Sequence, residues 1–117
     1  MNTRKIGATG EQKAVDFLIA NGYKIIERNI HFGKIGEIDI VAKDGETIVF
    51  VEVKYNRVKS SQFGSPEERC DARKIKQLVK LARFYIHNKN LYNKAVRIDV
   101  IAIDENGLRH YKNCSMM

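Results

Sequence analysis

Apolar residues recur at helical spacing in two segments of the chain. In Gly10–Ala20 they return every three or four residues, and Asn21-Gly22 follows as a stop, so we predict a first helix there. A second helix is predicted to start at Ser65 or at Asp71 and to run to about Asn88. The apolar stripe of this second helix consists of Ile75, Leu78, Val79, Ala82, Tyr85 and Ile86.

Short apolar or alternating runs, rich in Ile and Val, predict the strands. They lie at Tyr23–Asn29, Glu37–Ala42, Thr47–Lys54, Ala95–Ile103 and Leu108–Lys112. Asp44-Gly45 is a favoured two-residue turn, so the second and third strands are predicted to form a hairpin. With 117 residues and the order α-β-β-β-α-β-β, the chain is predicted to form a single α/β domain, residues 1–117.

The predicted hairpin carries a cluster of charged side chains. With Asp44-Gly45 as the turn, Glu37 lies opposite Glu52 and Asp39 lies opposite Phe50. Alternation then places Glu37, Asp39, Glu52 and Lys54 on one face, and Ile38, Ile40, Val49, Val51 and Val53 on the other. Diagonal neighbours have Cα atoms roughly 7–8 Å apart, so we expect Asp39 and Glu52 to share a divalent cation. The alternative is an exposed sheet face with cross-strand Glu–Lys pairs.

A fourth acid, Glu11, lies on the apolar stripe of the first helix. It precedes Ala14, Val15 and Leu18 by three, four and seven residues, so it points inward or toward a cleft. The alternative is a carboxylate that only complements the dipole at the start of the helix.

The positive charge is concentrated in one part of the chain. The net charge is +7, and residues 54–90 hold ten basic residues against three acidic ones. Such a local basic field favours a phosphate-rich partner, although a solvated helix face is the simpler alternative. The predicted contacts are Arg73, Lys76, Lys80 and Arg83 at helical spacing, with Arg57 and Lys59 in the loop after Lys54.

Six ordered segments resemble one known family. They are Gly10-Glu11, Gly22-Tyr23, Arg28-Asn29, Gly36-Glu37-Ile38-Asp39-Ile40-Val41-Ala42, Val49-Phe50-Val51-Glu52-Val53-Lys54 and Gly64-x-Pro66. The sequence resembles the YraN-like family of small bacterial proteins. That family is assigned to the restriction-endonuclease-like, PD-(D/E)xK fold and is similar to archaeal Holliday junction resolvases. The resemblance covers nearly the whole chain and implies a mixed β-sheet flanked by α-helices. Ile38 replaces the proline of the motif's name, which supplies no ligand.

The resemblance implies a role for each acid. Asp39 corresponds to the motif aspartate, Glu52 and Lys54 to the E-x-K pair, and Glu11 to the first-helix glutamate of the resolvase-like branch. Asp39, Glu52 and the carbonyl of Val53 are then expected to hold Mg²⁺ or Mn²⁺. Lys54 is expected to orient the water or stabilise the phosphorane, and Glu11 to bind a second metal or a metal-bound water.

Several polar side chains are left out of the predicted site. Glu37 is interpreted as a salt-bridge partner and Gln77 as a surface residue. His31, His87 and His110 share no metal-ligand spacing.

The sequence also bears on the compartment and the partners. No apolar run approaches the roughly 20 residues of a spanning helix, and the first 22 residues carry no secretory signal. Cys70 and Cys114 are predicted to be free thiols in a reducing cytoplasm. The expected partner is nucleic acid, with DNA favoured over RNA, and no contact with a membrane is expected. Resolvase-like action would need a homodimer that presents two sites.

Three functions compete. The leading one is a Mg²⁺-dependent nuclease that acts on branched or otherwise structured DNA. The second is a nucleic-acid-binding module of the same fold that does not cleave. The third is a docking module that uses the basic helix to bind an acidic protein. The sequence has both a carboxylate cluster and phosphate-binding charge, which favours the nuclease over the protein-docking module. An intact motif is compatible with both the nuclease and the non-cleaving module, so it does not distinguish them.

Overall fold

The computed structural model describes the backbone of residues 3–55 and 71–114, and the side chains from Gly10 onward within these ranges. Its elements in chain order are α1 (Thr3–Ala20), β1 (Lys24–Phe32), β2 (Gly36–Asp44), β3 (Thr47–Tyr55), α2 (Ala72–Lys89), β4 (Val96–Asp104) and β5 (Gly107–Tyr111). No helix in the described ranges is long and apolar enough to cross a membrane.

The strands form one five-stranded sheet in the order β1-β2-β3-β4-β5. All neighbours are antiparallel except β3 and β4, which run parallel. A parallel pair needs a crossover connection, and α2 lies in the stretch between β3 and β4. The predicted α/β class with a mixed sheet flanked by helices is therefore confirmed, and it is consistent with a restriction-endonuclease-like fold.

Each helix covers one face of the sheet and forms its own core. On the α2 side the buried residues are Ile38, Val41, Ile48, Phe50, Ile75, Leu78, Leu81, Ala82, Tyr85, Ile98 and Val100. On the α1 side they are Ala14, Val15, Leu18, Tyr23, Ile40, Ala42, Val49, Val51, Ile101 and Ile103. The two central strands β3 and β4 are buried on both faces, which explains their continuous runs of Ile and Val.

Helix α1 approaches the end of β3 closely at Gly10. A Cβ atom added to Gly10 would lie 2.4 Å from the Cδ2 atom of Tyr55 and 2.7 Å from its Cβ atom. Only a residue without a side chain lets the helix backbone pass over this ring, so Gly10 fixes the position of α1 above the end of β3.

Several predicted boundaries differ from the structure. Helix α1 begins at Thr3, seven residues earlier than predicted, and β1 continues to Phe32. Helix α2 starts after Asp71, one of the two predicted starts, whose side chain accepts hydrogen bonds from the N–H groups of Arg73 and Lys74. It ends at Lys89, and the following residue Asn90 caps it in the left-handed conformation with φ of 55°.

The hairpin turn is Gly45-Glu46, so the predicted turn at Asp44-Gly45 is wrong by one residue. Asp44 pairs with Thr47 as the last residue of β2, and its carboxylate accepts a hydrogen bond from Arg97 at 3.0 Å. Gly45 then takes the first turn position with φ of +62°. The register consequently shifts by two residues and pairs Val41, not Asp39, with Phe50. A shift of two preserves which face each side chain occupies.

Side-chain alternation breaks along β2 between Ile38 and Ile40, so the prediction that these two residues share a face is wrong. Ile38 packs in the α2-side core and Ile40 in the α1-side core, although two strand residues at this spacing should share a face. In β1, Asn29 has a left-handed φ of +53°, and the register leaves this residue beside Asp39 as an unpaired step of the ladder. Asp39 therefore occupies the position where the strand changes face.

The two cysteines were predicted to be free thiols. This prediction is wrong for Cys114, which is disulfide-bonded. Cys70 lies outside the described residues.

Candidate functional site

A pocket of about 340 Å³ opens between the ends of β2 and β3 and the first turns of α2. It brings together two of the predicted site carboxylates with residues from the helix. Its lining consists of Glu37, Asp39, Glu52, Val53, Lys74, Gln77, Leu78 and Leu81.

Asp39 reaches the pocket because β2 leaves the β3 ladder just before it. The last paired residues are Ile40 and Val51, and beyond them the Asp39 carboxylate accepts a hydrogen bond from the N–H of Val53 at 2.8 Å. The N–H and C=O of one strand residue point toward the same neighbouring strand. The carbonyl of Val53 therefore also points toward Asp39, as its predicted role as a ligand requires.

Electrostatics at Asp39 favour a neutral carboxyl group or a bound cation. Burial raises the pKa of Asp39 to about 7, although the hydrogen bond from Val53 acts in the opposite direction. The negative charges of Glu52, Glu37 and Glu11 raise this pKa further. The pocket thus combines low solvation with negative potential.

Glu52 enters the pocket from β3, on the same face as the buried Phe50. Its carboxylate lies 3.9 Å from the amine of Lys74, and 20% of its side chain is exposed. Alternation along β3 places Lys54 on this same face, next to Glu52. The pocket brings Asp39 and Glu52 together beside α2, and the predicted position of Lys54 next to them stays a prediction.

Two polar residues of α2 take part in the pocket although the sequence did not predict them there. Lys74 pairs with Glu52, and the side-chain amide of Gln77 donates a hydrogen bond to the carbonyl of Ile35. The Gln77 amide passes over Gly36, where an added Cβ would lie 3.0 Å from its nitrogen. Gln77 is exposed, which confirms its interpretation as a surface residue, and it also forms part of the pocket wall.

Glu11 lies beside the site without lining the pocket. Its carboxylate accepts hydrogen bonds from Arg28 at 3.2 Å and from the side-chain amide of Asn29 at 2.9 Å. Only 13% of the Glu11 side chain is exposed. Glu11 therefore has a structural role, because it ties α1 to the irregular step of β1 that faces Asp39. Its role as a metal ligand stays a prediction.

Glu37, which was left out of the predicted site, also lines the pocket. Its carboxylate lies 3.7 Å from the Nε2 atom of His31, its partner across the β1–β2 ladder. This contact matches its interpretation as a salt-bridge partner.

The four predicted basic contacts on α2 form a stripe, which we call the basic stripe: Arg73, Lys76, Lys80 and Arg83, all exposed. At about 100° per residue they cover about 80° of the helix circumference, nearly opposite its buried residues. The stripe therefore faces away from the sheet and borders the pocket without lining it. Within the described residues, none of its side chains forms an ion pair with an acid. Arg57 and Lys59 lie outside the described residues.

The donor set of the pocket suits a hard cation that keeps part of its water. In the described parts of the chain, no three His, Cys, Asp or Glu side chains gather closely enough to hold a metal by themselves. Mg²⁺ is usually bound by one or two carboxylates and retains several waters. Asp39, Glu52 and the Val53 carbonyl match this pattern, whereas a fully protein-ligated zinc or calcium site does not.

A second polar cluster, missed by the sequence analysis, supports the sheet on its α1 side. Asp99 is fully buried and accepts hydrogen bonds from Arg97 at 3.0 Å, from His110 at 2.8 Å and from the N–H of Asn113 at 3.0 Å. Burial raises the pKa of Asp99, but these hydrogen bonds outweigh burial and lower it to about 2. The cluster is structural: Tyr23 also joins it, and Asp99 lies on the face away from the pocket.

Comparison with known proteins finds one family. Residues 10–103 match the model of "Uncharacterised protein family UPF0102". A UPF0102 protein of Thermodesulfovibrio yellowstonii is 46% identical over 110 residues, which cover 93% of this chain and 94% of that protein. UPF0102 proteins of Persephonella marina and Fusobacterium nucleatum are 44% and 42% identical; the matches cover 92% and 97% of this chain and 90% and 92% of the relatives. The chain therefore belongs to the UPF0102 family, the YraN-like family that its motifs resemble.

Proposed function

We propose that this protein is a metal-dependent nuclease that hydrolyses phosphodiester bonds in structured, branched DNA. The observation that carries the proposal is the joint placement of Asp39 and Glu52 in one pocket at the point where β2 and β3 separate. Alternation along β3 places Lys54 on the same face as Glu52, two residues further along the strand, and we propose that its amine reaches a phosphate bound at this pocket.

Each residue of the proposed site has a task in this proposal. Asp39 and Glu52 hold Mg²⁺ or Mn²⁺ together with the carbonyl of Val53, and the fixed Val53 N–H keeps the Asp39 carboxylate oriented. The bound cation supplies charge neutralisation at the phosphoryl oxygens and an acidified water. Lys54 donates hydrogen bonds to the water or to the negative charge that develops on the phosphoryl group. Glu11 orients a further water or cation from the side of α1.

The basic stripe supports nucleic acid as the partner. Four exposed cations on one side of a helix neutralise phosphates without reading bases, so the proposed binding depends on DNA shape and charge rather than on sequence. We place this activity in the cytoplasm, where DNA is accessible in bacteria. A homodimer that presents two such pockets would match the two strands of a branched substrate.

The experiment is incubation of the purified protein with branched, single-stranded and duplex DNA in Mg²⁺, Mn²⁺ or EDTA. We expect cleavage of branched DNA in Mg²⁺ or Mn²⁺ and none in EDTA. Asp39→Asn should remove cleavage and retain most of the DNA affinity, because the basic stripe is unchanged. Cleavage that persists in EDTA or in Asp39→Asn would contradict the proposal.

One observation favours a second candidate, a module of the same fold that binds DNA without cleaving it. The amine of Lys74 lies 3.9 Å from the Glu52 carboxylate and so provides a positive charge at the place proposed for the cation. Binding of branched DNA by the wild-type protein, with no cleavage in Mg²⁺ or Mn²⁺, would support this candidate. If Lys74 competes with the cation, Lys74→Ala should lower the Mg²⁺ concentration needed for cleavage.

A further inference from the structure

A second pocket, of about 450 Å³, lies at the carboxyl end of α2 beside the loop that leads to β4. Its lining consists of Arg83, Ile86, Leu91, Tyr92, Lys94 and Val96. The three aliphatic residues pack against the α2-side core and form a fixed apolar floor. The two cations lie at the same pocket, so a ligand with a flat apolar part and a negative charge fits its chemistry.

Tyr92 provides an exposed aromatic ring at this pocket. It is 65% exposed, the largest exposure among the large apolar residues of the described ranges. Its hydroxyl forms a hydrogen bond with the Nδ1 atom of His87, and the two rings lie 6.0 Å apart at 74°. The Leu91 N–H donates to the Ile86 carbonyl at 3.0 Å, and this bond fixes the start of the loop. The ring is therefore held in place before any ligand arrives, which lowers the entropic cost of stacking on it.

The basic stripe connects the two pockets. It begins at Arg73, next to Lys74 of the first pocket, and ends at Arg83 of the second. Arg83 lies nine positions after Lys74, which is about 13.5 Å along the helix axis. This span corresponds to about four base steps of duplex DNA. A DNA strand bound at the first pocket can therefore cross the outer surface of α2 and reach Tyr92.

We propose that this second pocket binds an unpaired base of the DNA, stacked on Tyr92, while Arg83 binds the adjacent phosphate. Every base has a π-face, so the contact is independent of sequence, but a base inside a duplex is already stacked and cannot use it. Lys94 contributes less, because its amine lies 3.6 Å from the Glu46 carboxylate. The inference rests on nucleic acid being the ligand of the proposed function, but not on cleavage.

The test is fluorescence anisotropy at fixed salt with two DNA probes, a blunt duplex and the same duplex with an unpaired single-stranded flap. The variants are Tyr92→Ala and the matched control Tyr92→Phe, which keeps the ring and loses the bond to His87. Base–aromatic stacking should make Tyr92→Ala bind the flapped probe about 5- to 150-fold more weakly. Its affinity for the blunt duplex should stay within about twofold, and Tyr92→Phe should bind both probes nearly as the wild type does.

A 2-aminopurine base in the flap gives a direct readout, because stacking on Tyr92 should quench its fluorescence in the wild type and not in Tyr92→Ala. Equal effects of Tyr92→Ala on both probes, or none, would overturn the inference while leaving the cleavage proposal standing. If Asp39→Asn loses cleavage but still prefers the flapped probe, the first pocket is needed for cleavage and the second pocket binds the flap independently. A wild-type protein that binds neither probe would overturn both proposals.

Discussion

Replacing Asp99 by asparagine should destabilise the protein by an amount that depends on pH. Asp99 is fully buried, and its charge is balanced by Arg97 and by hydrogen bonds from His110 and Asn113. Removing one partner of a buried charge network costs about 3–5 kcal/mol, because the remaining charge stays buried. Since asparagine can keep the hydrogen bond from the Asn113 N–H, we expect about 3 kcal/mol at pH 7.

The pH dependence follows from the pKa of Asp99, which is lowered from 3.8 to about 2 in the folded state. A lowered pKa stabilises the folded state above the unfolded-state pKa, and this stability is lost as the pH falls through the folded-state pKa. The shift corresponds to about 2 kcal/mol, of which about half is lost between pH 7 and pH 3. Asparagine does not titrate, so the difference between wild type and Asp99→Asn should shrink by about 1 kcal/mol at pH 3.

The assay is urea unfolding followed by far-UV circular dichroism, at pH 7 and at pH 3, with the free energy of unfolding obtained by linear extrapolation. Asp16→Asn is the matched control, because Asp16 is exposed on α1 and hydrogen-bonds only to Gln12 among the described residues. This control should change stability by less than about 0.5 kcal/mol at either pH. An effect of Asp99→Asn that is small at pH 7, or that grows on acidification, would refute the reasoning.

Two further predictions concern the packing of α1 and the basic stripe. Gly10→Ala should destabilise the fold by about 1–3 kcal/mol in the same urea assay, because the new methyl group would meet the Tyr55 ring at 2.4 Å; Gly22→Ala, which has open space around it, should cost only the strain of its positive φ, and equal costs would contradict the packing argument. Replacing Arg73, Lys76 and Lys80 together by Glu should weaken binding to unrelated DNA sequences alike and reduce the slope of log K against log salt by about 0.9 per lost phosphate contact. Charge reversal of Lys24 and Lys43, which lie on β1 and β2 outside the stripe, should leave this slope unchanged. A slope that does not respond to the stripe would instead favour docking of an acidic protein.

The sequence was sufficient for the features that depend on local pattern. Short apolar or alternating runs located the five strands of the described residues. Asp71, which caps α2, was one of the two predicted starts of that helix. The placement of Glu52 and Lys54 on one face of β3 was also predicted, because side chains alternate along a regular strand. Asp39 and Glu52 line one pocket although the predicted register was wrong by two residues.

The missed features depend on contacts distant in sequence. Asp44 stays in β2 and not in the turn because Arg97, 53 residues later, binds its carboxylate. Ile38 changes face because the left-handed Asn29 breaks the neighbouring strand at the same step. The contributions of Lys74 and Gln77 to the pocket depend on how α2 lies against β2, and no local periodicity contains that information.

The central claim, that Asp39 and Glu52 hold a cation for phosphodiester hydrolysis, is tested most directly by single-turnover cleavage of a labelled four-way DNA junction in Mg²⁺. Wild type and Glu52→Gln are compared at saturating protein, with Glu105→Gln in the exposed β4–β5 turn as the matched control. Loss of several kcal/mol of charge stabilisation should lower the rate of Glu52→Gln by at least about 100-fold, with junction affinity retained and Glu105→Gln unaffected. Equal rates for wild type and Glu52→Gln, or no cleavage by the wild type, would contradict the claim.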